Sequence, residues 1–262
     1  MGVVNVTPDS FSDGGRFRDS GAARDHALSL LAAGADWLDV GGESTRPGAD
    51  PVSQAEELDR VLPVIEAILA ARPEANISID TMKPAVAEAA VRAGAQMWND
   101  VSALGAEGAL ETAARLECCV ALMHMQGRPQ TMQEDPAYDD VVTDVARFLG
   151  RRAGAAMAAG VDRTRIVLDP GVGFGKTLAH NLQLMAALEH FTGLEFPILF
   201  GASRKRFIAA IDETASDPGD RLGGGLAAAL HAARAGCAIL RVHDVRETVQ
   251  ALKVQSAIQG RI

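Results

Sequence analysis

Short apolar runs alternate with longer stretches in which apolar residues return every three or four positions, and the alternation repeats along the whole chain. The runs Met1–Val6, Trp37–Val40, Ile77–Asp80, Met97–Asp100, Val120–Met123, Ile166–Asp169, Phe196–Phe200 and Ala238–Val242 predict strands. Helical spacing predicts helices over Gly21–Ala33, Val52–Arg72, Pro84–Ala93, Leu110–Leu116, Asp139–Ala159, from about Leu178, over Arg221–Ala235 and over Val245–Ala257. Gly34, Gly94 and Gly160 stand where three of these helices should stop. Pro63 falls inside the second and predicts a kink there. Nearly continuous apolar strands separated by helices predict a parallel sheet covered on both faces. Eight such units over residues 1–262, with no linker between them, predict one (β/α)8 TIM-barrel domain with its active site at the C-terminal ends of the strands.

Polar residues gather at those ends: Asn5, Asp39, Asp80, Asn99, His124, Asp169, Lys205, Arg241 and His243. Any one of the Asp or Asn residues can serve as a helix cap. The whole set is better explained by convergence on one site, because a barrel wall needs no charge and buried charge requires a partner. Asp80, Asn99 and Asp169 offer a carboxylate–amide–carboxylate floor that suits a planar heterocycle rich in N–H donors. Arg46, Lys205, Arg241 and His243 offer cationic donors suited to phosphate oxygens. Asn5 with Mg2+ would complete a diphosphate site, since Mg2+ takes few protein ligands alongside substrate phosphates. Phe174 and Met123 either sandwich a ring or belong to the core. Lys176 lies in the glycine-rich Asp169–Lys176 loop, where a binding role and a structural one stay equally open.

Composition narrows the class. With 48% hydrophobic and 23% charged residues the chain reads as an ordinary globular one, and a net charge of −9 argues against a non-specific nucleic-acid binder. A few arginines at one site can still attract a small anion. Cys118, Cys119 and Cys237 are odd in number and lack metal spacing, which predicts free thiols in the cytoplasm. Apolar runs are too short for a membrane span. The first strand begins almost at Met1, so further residues are expected ahead of it. His26, His180, His190 and His231 fall on helices and are read as packing or surface residues, and Arg151–Arg152 as a solvated face.

Several stretches together resemble the dihydropteroate synthase family over almost the whole chain: Asn5 to Gly15, Gly41 to Gly48, Ile79 to Thr81, Asn99 to Val101, Leu122 to Met125, Asp169 to Lys176, Ser203 to Lys205 and Arg241 to Asp244. The resemblance implies condensation of 6-hydroxymethyl-7,8-dihydropterin diphosphate with p-aminobenzoate in folate synthesis, with release of diphosphate. It also implies that Asp80, Asn99, Asp169 and Lys205 hold the pterin and that Met123 and Phe174 pack on it. Asn5 would ligate Mg2+, Arg241 and His243 would grip the diphosphate, and Thr45, Arg46, Pro47 and Phe11 would shape the aminobenzoate pocket. Small-molecule substrates, no nucleic acid, no membrane and a homodimer follow from the same resemblance. Arg206 stands where the family often has serine, which leaves the contacts to the aminobenzoate carboxylate open, an ion pair from Arg206 among them. The intact second loop predicts sensitivity to sulfonamides. A pterin-binding methyltransferase shares the acidic floor but has no need of the cationic rim, and a Schiff-base aldolase would have to use Lys176 or Lys205.

Overall fold

Parity along each strand decides which side chains face the barrel axis. The computed structural model describes residues 1–7, 16–46 and 48–260, with side chains from Ser20 onward in its first helix. The expected Phe11 and Pro47 contributions lie outside the described residues.

The strands are β1 (Gly2–Asn5), β2 (Trp37–Gly41), β3 (Asn76–Asp80), β4 (Met97–Asp100), β5 (Cys119–Met123), β6 (Ile166–Asp169), β7 (Leu199–Phe200) and β8 (Ile239–Leu240). The helices are α1 (Arg16–Ala32), α2 (Gln54–Ala71), α3 (Pro84–Arg92), α4 (Ala109–Leu116), α5 (Val141–Ala158), α6 (Leu178–Ala186), α7 (Leu188–Thr192), α8 (Arg206–Ile211), α9 (Leu222–Arg234) and α10 (Val245–Ile258). β1 to β6 pair in parallel in chain order, and β7 pairs with β8. Two bridges complete the ring, Leu168 with Ile198 and Gly2 with Val242. Their hydrogen bonds are ordinary: Leu168 N donates to Pro197 O at 2.9 Å, and Val3 N donates to Val242 O at 3.0 Å. Parallel strands linked through helices and closed on themselves are an α/β barrel, as the eightfold pattern predicts.

Outward residues such as Leu38, Val40, Ile77, Ile79, Trp98, Val120, Leu122, Ile166 and Leu168 pack against the helices in one buried cluster. Their neighbours point inward. Met1, Met97, Ala121, Val167 and Leu199 fill the barrel's lower interior. Continuing the same parity upward puts Asn5, Asp39, Asp80, Asn99, Met123, Asp169 and Arg241 on the inner face, and Asp100 on the outer one. Asp100 accordingly serves the wall: its carboxylate accepts from Ser102 N at 2.7 Å and Leu104 N at 2.8 Å.

Several expected boundaries shift. β7 and β8 are shorter than predicted, because beyond two residues each the pairing reduces to single bridges. α2 starts at Gln54, since Ser53 caps it by accepting from Glu56 N at 3.2 Å, and it runs through Pro63 without a break. The stretch after Leu178 divides at Ala187 into α6 and α7, and α8 was not expected. Gly223–Gly225 lies within α9. A Cβ on Gly224 would come 2.6 Å from Ile208 Cγ2, so glycine there lets α9 approach α8. His180 caps α6 through Thr177, and His231 bonds Met185 O at 2.8 Å, which fits their packing reading.

Candidate active site

At the C-terminal mouth, the side chain of Arg241 crosses from beyond β8 to two carboxylates. Its Nε donates to Asp39 Oδ2 at 2.5 Å and its Nη2 to Asp80 Oδ2 at 2.8 Å. Asn99 Nδ2 donates to the same Asp39 oxygen at 3.1 Å. Asp39 has no exposure, and its Oδ1 has no hydrogen-bond partner among the described residues. An ion held this deep costs several kcal/mol unless compensated. One guanidinium therefore serves two buried anions, and burial followed by repulsion from Asp39 pushes the Asp80 carboxyl up to about 7, against the opposing pull of Arg241. Asp39, expected among the converging polar residues, sits beneath the cavity as the buried partner of Arg241 and Asn99. The signal in the sequence is a carboxylate inside the apolar run Trp37–Gly41, which obliges a buried counter-charge.

On the other side of the mouth, Asp169 accepts from Gly171 N at 2.7 Å. Burial raises its carboxyl, opposed by Lys205 and then Lys176. Lys205 places its ammonium 4.7 Å from the centre of the Phe174 ring and donates to Val172 O. Burial draws the Lys205 amine down to about 8, while Asp169 holds it up. Lys176 resolves to a structural bond set: its Nζ lies 2.9 Å from His124 Nδ1 and donates to Phe174 O at 2.9 Å and His124 O at 3.3 Å. These contacts tie the Asp169–Lys176 loop to the end of β5. His124 is stacked edge-on to Phe148, and burial holds its imidazole down at about 3, so it stays neutral. Gly171 (φ +68°) sits so close to His124 O that no Cβ fits, which makes glycine obligatory at that turn.

The rim is built by the last two loops. His243 Nδ1 lies 3.1 Å from Ser203 Oγ, and its backbone N donates to the same hydroxyl at 3.2 Å. Burial, then Arg241 and Arg204, draw the His243 imidazole down to about 4. These surroundings favour the neutral imidazole while no anion stands beside it, with Nδ1 turned to Ser203. Arg204 is committed to Asp244 at 2.5 Å and 3.1 Å, which locks the two loops together.

A cavity of about 720 Å³ opens above this floor. Asn5, Thr45, Arg46, Asp80, Phe174, Lys205, Arg241 and His243 all line it, as does Arg206. Asn99, Asp169 and Met123 do not border that cavity; they are buried at the inner strand ends around it. Asn99 pairs in register with Asp80, which lines it; Met123 pairs with Asp169, whose carboxyl faces the charge of Lys205, another lining residue. Among the described residues no three His, Cys, Asp or Glu side chains converge as a metal cage. Asn5 supplies one amide oxygen at the end of β1, which suits Mg2+ only as an ion delivered with a diphosphate.

Comparison with known proteins agrees with this geometry. The family described as "Pterin binding enzyme" matches residues 1–243. Dihydropteroate synthase of Escherichia coli (strain K12) is 50% identical over 257 residues, which span 98% of this chain and 90% of that protein. The structure of Xanthomonas albilineans dihydropteroate synthase with 4-aminobenzoic acid superposes with a TM-score of 0.93 at 52% identity, covering 99% of this chain and 92% of that one. That of the Yersinia pestis enzyme with a sulfonamide drug also gives 0.93, at 48% identity, covering 99% and 94%.

Proposed function

The chain belongs to the pterin binding enzymes and, within them, to the dihydropteroate synthases, and from that premise we propose how its barrel mouth performs the condensation. The substrates are 6-hydroxymethyl-7,8-dihydropterin diphosphate and p-aminobenzoate; the products are 7,8-dihydropteroate and diphosphate. The observation that carries the reading is the pairing of Arg241 with Asp39 and Asp80 beneath a cavity whose rim is cationic. An acidic floor beside a basic rim matches a donor-rich ring that carries an anionic leaving group.

Asp80, Asn99 and Asp169 bind the pterin through its N–H groups, with Lys205 and Phe174 along its side and Met123 behind it. The leaving diphosphate meets Arg241 and the imidazole of His243. Mg2+ held by Asn5 and the diphosphate would offset the charge that develops on the leaving oxygens. The C–O bond breaks with its electron pair on diphosphate, and the methylene carbon becomes cationic. Asp80 and Asp169 stabilise that charge electrostatically, so no protein nucleophile is required. The aminobenzoate nitrogen then forms the C–N bond with the methylene carbon and releases its proton to water. Thr45 and Arg46, which line the cavity, border the aminobenzoate in this reading, the expected Pro47 and Phe11 lying outside the described residues, and Arg206, on the same lining, supports an ion pair with its carboxylate.

The reading extends to one catalytic domain over residues 1–262 acting as a cytoplasmic homodimer. Free thiols at Cys118, Cys119 and Cys237 suit a reducing compartment. Exposed Val254 and Ile258 line a groove with Leu226 and Leu230 of α9, an apolar face suited to a second copy. Among the described residues no helix is long and apolar enough to cross a membrane.

A coupled assay of diphosphate release tests the function. Release should match dihydropteroate formation one for one and require p-aminobenzoate for sustained turnover. A sulfonamide should raise the apparent KM for p-aminobenzoate and leave kcat unchanged. Turnover that ignores p-aminobenzoate, or a sulfonamide that lowers kcat alone, would contradict the reading.

A further inference from the structure

Lys83 stands between two carboxylates from different elements. Its ammonium is 2.8 Å from Glu43 Oε2 and 2.5 Å from Glu57 Oε2. Glu57 projects from α2 with no exposure, and its Oε1 has no hydrogen-bond partner among the described residues. Glu43 follows β2 and lines the same cavity as Thr45 and Arg46. Its Oε1 accepts from Val52 N at 2.9 Å, so a single carboxylate joins the two ends of the 43–52 segment. Arg60 reinforces the start of that segment by donating to Gly42 O at 2.7 Å. Lys83 occupies the position just before α3, and its own N–H donates to Thr81 Oγ1 at 3.1 Å, one residue past Asp80.

We propose that Lys83 is a positioning residue for the aminobenzoate subsite: through Glu43 it fixes the neck of the 43–52 segment against the end of β3, and so sets where Thr45 and Arg46 stand relative to Asp80. The inference rests on the reading that this segment borders the aminobenzoate. Two consequences follow from losing the ammonium. The neck loses a charge-assisted tie, which is worth far more buried than exposed. The Glu43 carboxylate, left unpaired on the cavity wall, repels an anionic benzoate. Both act on one substrate and leave the pterin floor intact.

Steady-state kinetics of Lys83→Met and Lys83→Arg, with hydrogen exchange at the Val52 amide, test this. Lys83→Met should raise the KM for p-aminobenzoate about tenfold or more, the usual scale for a buried charged hydrogen bond. The KM for the pterin diphosphate and kcat should hold. Exchange at Val52 should accelerate, and Lys83→Arg should restore both readouts. Lys83→Met combined with Glu57→Gln removes the stranded buried charge, so it retains the fold and carries the same expectation. An unchanged p-aminobenzoate KM in that double variant, or two KM values rising together, would overturn the assignment. A wild-type protein that turns over without p-aminobenzoate would instead refute the parent reading, and Val52 exchange would then still report whether Lys83 braces the segment.

Discussion

Asp80→Asn is expected to lower turnover by about 10²–10³-fold, the scale of removing one preorganised electrostatic group from a reacting centre, while the melting temperature at pH 8 stays level or rises. The two effects share one cause. Burial and the neighbouring Asp39 lift the Asp80 carboxyl from 3.8 to about 7 even with Arg241 attached, so its charged form is held at a cost in folding stability. A carboxyl raised in the folded state adds stability that is complete below its unfolded pKa and lost as pH climbs through the folded one. The variant's advantage in stability should therefore be largest at pH 8 and vanish toward pH 4. Activity runs the other way: wild-type kcat/KM for the pterin diphosphate should fall below about pH 7 as Asp80 protonates, and Asp80→Asn should lack that limb. Kinetic pH profiles alongside thermal melts at pH 5 and 8 check both halves. A variant that is as active as wild type, or less stable at pH 8 than at pH 5 relative to it, would contradict the account.

Arg241→Met is expected to cost about 3–5 kcal/mol of stability, because it strands the wholly buried Asp39 carboxylate and takes the counter-charge from the mostly buried Asp80 beside it. Asp39 is the more exacting of the two, being wholly buried on the inner face of β2. Turnover should fall with it, since Asp80 loses the positive charge that keeps its carboxyl from rising further. Denaturant unfolding measures the first effect and diphosphate release the second. A loss below about 1 kcal/mol, the ordinary size of an exposed ion pair, would show that water already compensates the cluster. Adding Asp39→Asn should recover part of the stability and none of the activity.

The strand–helix alternation was legible because each strand is buried on both sides and each helix on one, which leaves period and length in the sequence. Boundaries were less legible where pairing is brief. The runs Phe196–Phe200 and Ala238–Val242 mark β7 and β8, but each strand holds two residues and single bridges at Ile198 and Val242 complete the pairing, so run length overstates them. The short α7 and α8 carry too little periodicity to separate from loops. Among site residues, Asp80, Asn99 and Asp169 could be read at strand ends followed by turn residues. Asp39 could be read in the same set, but it sits one inward position deeper than the strand end, so its role as a buried partner of Arg241 and Asn99, rather than a group lining the cavity, could not be read. Side-chain partners cannot be read at all from one sequence: that Arg204 turns to Asp244 while Arg241 turns to Asp39 depends on loops far apart in the chain. The lowered imidazole of His243 is of the same kind, since burial and two arginines draw it down.

Calorimetric titration of 6-hydroxymethyl-7,8-dihydropterin, the ring without its diphosphate, into wild-type protein and Asp169→Asn isolates the acidic floor from the cationic rim. The account predicts clear binding by the wild type and at least about tenfold weaker binding by Asp169→Asn, the value of one charged hydrogen bond. Equal affinities would mean that the carboxylates do not hold the ring and that the barrel mouth binds this substrate by its phosphates alone.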